Sequence, residues 1–93
     1  MLIQPVQPVF VVVKIGSNDQ KDHMCQMLSL SDNKLELRCN DYLEKESEVV
    51  FSAKYFRGLG IIEEITYAKL HFIYHMNIKE IQFQPGLLIN TQL

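Results

Sequence analysis

A few groups of side chains in this 93-residue chain have the types and spacing to be tested for chemistry first. His71 and His75 form an H-x-x-x-H, which on a helix would set two imidazoles on one face for a metal ion. On a strand the pair shares a face but lies roughly 13 Å apart at about 3.3 Å per residue, too far for one ion. Phe72 also stands where the glutamate of an H-E-x-x-H would be. Surface histidines on a strand are the expectation. Glu44, Glu46, Glu48, Glu63 and Glu64 supply carboxylates, but nothing sets two of them across a cleft, so they read as solvated faces. Ser29, Ser31 and Ser52 have no Ser-x-Gly elbow and no histidine nearby in sequence. Gly58-x-Gly60 lacks the third glycine and following helix of a dinucleotide fingerprint and reads as a bend or bulge. These residues do not predict an enzyme.

The two cysteines, Cys25 and Cys39, fall in predicted strands. Two buried thiols in a reducing cytoplasm are the favoured state, with a disulfide between them as the alternative. No C-x-x-C spacing supports structural zinc.

The elements that would carry these groups are strands. In CQMLSLSDNKLELR, Leu35, Leu37 and Cys39 alternate with Lys34, Glu36 and Arg38, a period of two with an apolar and a charged face. Leu28 and Leu30 alternate with Ser29 and Ser31, and Ser31-Asp32-Asn33 makes the turn of a hairpin. Asp and Asn suit such turns because their short side chains hydrogen-bond locally. Val9 to Ile15 is dense in β-branched residues and predicts a strand buried on both faces over part of its length. A polar loop follows from Gly16 to Asp22. Asn40 to Ser47 reads as a connection that tucks Leu43 inward, and Glu48 to Phe56 as a strand.

Ile61 to Phe83 admits one amphipathic helix, since Ile61, Ile65, Ala68, Phe72 and Met76 approach a helical spacing. Two strands, Gly60 to Tyr67 and His71 to Phe83, fit its β-branched and aromatic residues better. A slip of phase predicts a bulge or turn near Lys79. Met1 to Pro8 is an arm whose prolines lack the N–H for a central ladder, and residues 87–93 form a short apolar tail.

Length bounds the chain to a single domain, 1–93. A hydrophobic fraction of 47% with 22% charged residues is that of a folded globular chain. The longest apolar run is too short to span a membrane, and the N-terminus lacks the basic region of a signal peptide. A net charge of −2 argues against nucleic acid and acidic membranes as partners. An OB- or Sm-like nucleic-acid binder would need a basic, aromatic-lined face that this composition does not offer. Six short strands predict an all-β fold, a small six-stranded antiparallel barrel or a sandwich.

The order of segments resembles the PilZ domain family. LSLSDNKLELR, KESEVVFSAKYF, RGLGIIEEITY and NIKEIQFQPG are similar to its successive strands, over about Val9 to Gly86. The resemblance implies a six-stranded PilZ-like β-barrel. Members that bind cyclic di-GMP use an R-x-x-x-R loop before the first strand and a D/N-x-S-x-x-G segment. The only arginines here are Arg38 and Arg57, and neither precedes Val9. Ser31 matches the family serine, Ser29 replaces the acid or amide, and Lys34 replaces the glycine, where a side chain would crowd a ligand. The resemblance therefore implies a bacterial protein-binding adaptor in signalling or surface machinery such as type IV pili, with no bound cofactor. Its alternative is a cyclic di-GMP receptor with a degenerate site at Ser29, Ser31, Lys34 and Arg38. Val50, Phe56, Ile73 and Leu87-Leu88-Ile89 are candidates for an exposed apolar partner surface, unless the arm Leu2-Ile3 covers them.

Overall fold

In a computed structural model that describes residues 2–16 and 21–84, all regular structure is strand. The strands are β1 (Leu2–Ile3), β2 (Phe10–Ile15), β3 (His23–Ser31), β4 (Lys34–Cys39), β5 (Glu48–Ala53), β6 (Phe56–Tyr67) and β7 (Phe72–Phe83). All pairings are antiparallel, in the order β3-β2-β5-β6-β7-β4. A further β4–β3 pairing closes the sheet into a six-stranded barrel. Closure removes the open edges that an isolated sheet would expose. β1 is an extra strand: Leu2 and Ile3 pair with Ser31 and Leu30. Of the arm's described residues, only these two pair, along the end of β3 that β2 does not reach, and Val6 is fully exposed.

Alternation does most of the work of placing the core. Val11 and Val13, Leu35, Leu37 and Cys39, Val49 and Phe51, and Tyr74 and Met76 all point inward and are buried. The reading of 61–83 as two strands holds, because β6 and β7 pair along their whole length. The phase slip is a bulge: Leu59 opposes Glu80 but Gly60 opposes Ile78, leaving Lys79 as the extra residue. A second bulge adds Glu63 to β6, and a third adds Leu28 to β3. The third revises the expected alternation. Leu28 is only half-buried, whereas Ser29 and Leu30 are both buried.

Four further expectations change in whole or in part. Glu48 to Phe56 is not one strand, since the chain turns at Lys54-Tyr55 and Phe56 opens β6. Phe56 is buried against Phe51 and Phe83, with ring centroids 6.0 and 6.2 Å away, so it is no part of an outer patch. Gly58 and Gly60 lie inside β6 rather than in a bend, while the register shift between Leu59 and Gly60 is the expected bulge. A Cβ on Gly58 would meet the Glu80 carbonyl oxygen at 2.1 Å and the Phe51 ring at 2.7 Å, so the glycine makes room for that ring. Finally, β2 buries one face only: Val11 and Val13 are inside, while Phe10 is 57% exposed. The apolar tail at 87–93 lies outside the described residues.

Residues 40–47 cap one end of the barrel. Leu43 is buried, as expected, and the Tyr74 hydroxyl holds the segment from below. It donates to the Asp41 carbonyl and accepts the Leu43 N–H, both at 2.6 Å. Burial pushes the Tyr74 phenol up to about 12. No helix among the described residues is long and apolar enough to cross a membrane.

Candidate functional site

The outer surface of the barrel has two contrasting faces. The first covers β3, β4, β7 and β6 and carries every residue of the degenerate nucleotide segment. Ser29 and Glu36 are cross-strand partners, and the Ser29 hydroxyl donates to Glu36 Oε1 at 2.8 Å. Glu36 Oε2 lies 3.5 Å from His75 Nδ1, and His75 Nε2 lies 3.3 Å from Thr66 Oγ1. With the proton on Nδ1, the imidazole donates to the carboxylate and accepts from the threonine. Lys34 Nζ stands 3.5 Å from both Glu63 oxygens. Arg38 donates to Gln26, its partner across β3–β4. The Ser31 hydroxyl donates to the Lys34 carbonyl at 3.4 Å.

The hairpin therefore brings Ser29, Ser31, Lys34 and Arg38 onto one face, and each is engaged by a neighbour. Thr66, His75 and Glu36 follow each other in the order of nucleophile, base and orienting acid. Thr66 stands exposed, however, and lines neither of the two surface hollows described for the barrel. The row works as a cross-strand polar ladder. His71 precedes β7, with its carbonyl accepting the Ala68 N–H at 2.9 Å. Among the described residues, no three His, Cys, Asp or Glu side chains converge as a metal set.

The second face covers β3, β2, β5 and β6. Register places Val12 between Met24 and Ser52, Lys14 opposite Val50, Val50 opposite Leu59, and Leu59 opposite Glu80. Phe10, Met24, Val12, Val50 and Leu59 thus form a diagonal apolar strip across four strands. Phe10 and Met24 are more than half exposed, Val50 is 38% and Leu59 43% exposed. Lys14 and Glu80 stand at opposite ends of the row through Val50 and Leu59. A shallow groove of about 680 Å³ runs along it, with Arg57 also on its wall.

Sequence reasoning found Val50 on this strip and missed Phe10, Val12, Met24 and Leu59. A signal was present: Val9 to Val13 is apolar in both phases of the strand, and a small barrel has only one inside. Ile73, another candidate, lies half-buried between Arg38 and Thr66 on the polar face.

No family model matches the chain, and no curated protein matches it either.

Proposed function

We propose that the chain is a divergent PilZ-like barrel that works by protein–protein contact in bacterial signalling or surface-machinery assembly, in the cytoplasm and without bound nucleotide. The observation that carries this reading is the apolar strip Phe10–Met24–Val12–Val50–Leu59 on the outside of a closed barrel. Contiguous exposed apolar side chains rimmed by charge are the mark of a partner surface. Lys14 is paired with Asp22 at 3.4 Å, so the partner that fits presents an apolar ridge with an acidic group toward Arg57 and a basic group toward Glu80.

The other support is the state of the degenerate segment. One N–H of the Arg38 guanidinium goes to Gln26 and the ammonium of Lys34 faces Glu63, so a phosphate at either would compete with a contact already made. Planar bidentate recognition of two phosphates also wants a second arginine, and Arg57 lies on the opposite face, on the wall of the apolar groove.

The test uses the immobilised chain, a Val50→Lys/Leu59→Lys variant and a Glu36→Gln variant as bait in bacterial lysate. The reading expects a discrete protein retained by the first and third and lost from the second. Retention unaffected by the double substitution would overturn it. So would micromolar binding of cyclic di-GMP by the purified chain, weakened by Ser31→Ala.

A further inference from the structure

The end of the barrel beneath residues 40–47 holds chemistry that a contact module does not use. Cys25 on β3 and Cys39 on β4 are direct cross-strand partners. Both point inward, both are buried, and both are free thiols. Directly opposed residues of an antiparallel pair hold their Cβ atoms about 4.5–5.5 Å apart. A disulfide asks for about 3.5–4.5 Å. On these general ranges a directly opposed pair closes with a shift of about an ångström and no change of register.

The two sulfurs are not equivalent. Both thiols donate to a backbone carbonyl, Cys39 Sγ to Met24 at 3.5 Å and Cys25 Sγ to His23 at 3.7 Å. Cys39 Sγ alone also accepts a backbone N–H, from Asp41 at 3.4 Å, a contact that favours its thiolate. Beside them, His23 Nδ1 donates to Asp41 Oδ2 at 2.9 Å and ties the capping segment to the start of β3. That bond holds the Asp41 carboxyl below its usual range. Hydrogen bonding to Cys25 lowers the Cys39 thiol, and the same bond together with burial raises Cys25. With the Asp41 N–H on its sulfur, Cys39 is the better placed of the two to act as nucleophile.

We propose that Cys25 and Cys39 form a thiol–disulfide site, oxidised by a small hydroperoxide to a cross-strand bond between β3 and β4. The Cys39 thiolate attacks one peroxide oxygen, the O–O bond breaks, and the departing hydroxide takes up a proton as water. Cys39 is left as the sulfenic acid. The Cys25 sulfur then attacks the Cys39 sulfur, the S–O bond breaks, and the hydroxide leaves as a second water with the Cys25 proton. Two thiols lose two electrons and two protons, and one hydrogen peroxide becomes two waters. A small dithiol reverses the step. In a reducing compartment such a bond is transient, as a sensor requires.

The bond has a structural consequence. Oxidation removes the thiolate that accepts the Asp41 N–H, so the capping segment loses one of its ties while those through Tyr74 and His23 remain.

The experiment treats the folded wild-type chain with stoichiometric hydrogen peroxide and follows it by intact mass, peptide mapping and amide exchange. The expected result is loss of two hydrogens, a Cys25–Cys39 linked peptide, full recovery with dithiothreitol, and faster exchange at the Asp41 amide. Alkylation at pH 7 is expected to modify Cys39 faster than Cys25. In Cys25→Ser, dimedone traps a sulfenic acid on Cys39, while Cys39→Ser leaves Cys25 unmodified. Thiols that react only after unfolding in urea would overturn the proposal. So would oxidation that yields intermolecular disulfides or sulfinic acid in the wild-type chain.

Discussion

The two outer faces of the barrel are built from neighbouring strands and share β3 and β6, yet they are finished in opposite ways. On the β3–β4–β7–β6 face, polar side chains meet across strands: Ser29 with Glu36, Glu36 with His75, His75 with Thr66, Arg38 with Gln26 and Lys34 with Glu63. On the β3–β2–β5–β6 face, Phe10, Met24, Val50 and Leu59 meet solvent, with Lys14, Arg57 and Glu80 at the margins. On the first face the polar groups meet one another. The second leaves apolar area in water, a cost that binding would relieve. A residue pattern that looks like a binding segment is thus weaker evidence than the state in which folding leaves its side chains.

Substitutions can break or sharpen this contrast. The largest effect is expected at Gly58, which positions β6 under the apolar face. Gly58→Val drives a side chain into the Glu80 carbonyl and the Phe51 ring, so a loss of about 3 kcal/mol or more is expected in urea unfolding. Next is Tyr74→Phe, inside the barrel and common to both faces. It strips two hydrogen bonds from the capping segment and leaves the Leu43 N–H unpaired, at about 1–3 kcal/mol.

The same tyrosine sets an alkaline limit. Its phenol titrates near 10 in an unfolded chain and at about 12 in the barrel. The stability it contributes is complete below pH 10 and is lost as pH rises toward 12. Denaturation midpoints measured across that window should fall in the wild type, and less in Tyr74→Phe.

Smaller effects separate the faces themselves. Ser29→Ala removes the hydroxyl that orients Glu36 and should cost about 1 kcal/mol. Lys34→Ala breaks an exposed pair and should cost at most about 1 kcal/mol, fading in high salt. Leu59→Lys should change stability by no more than about 0.5 kcal/mol in either direction while abolishing partner retention. Calorimetry or urea unfolding, run beside the retention assay, reads all three.

Much of the barrel is legible in the sequence because strand alternation is a local signal. Leu35, Leu37 and Cys39 declare an inward face, and Asp32-Asn33 a turn. The turn at Lys54-Tyr55 was hidden, since neither residue is a turn former and neither adopts a positive φ. The bulge at Leu28 was hidden because it depends on how β3 must bend to serve β2 and β4 at once. Gly58 and Gly60 read locally as breakers, yet their reason is distant: the Phe51 ring and the β7 backbone. The candidate site was least legible. Whether Lys34 or Arg38 is available depends on Glu63 and Gln26, and whether Phe10 is inside depends on which face of β2 the barrel closes over. Those are properties of register, which composition does not carry.

The most direct test of the contrast is photo-cross-linking in cells with a reactive amino acid placed singly at positions 24, 50 and 59 on one face and at 36, 66 and 75 on the other. The account predicts one common protein adduct from the first three and none from the second three. Adducts from 36, 66 and 75 alone would contradict it and return the polar face to the centre of the protein's function.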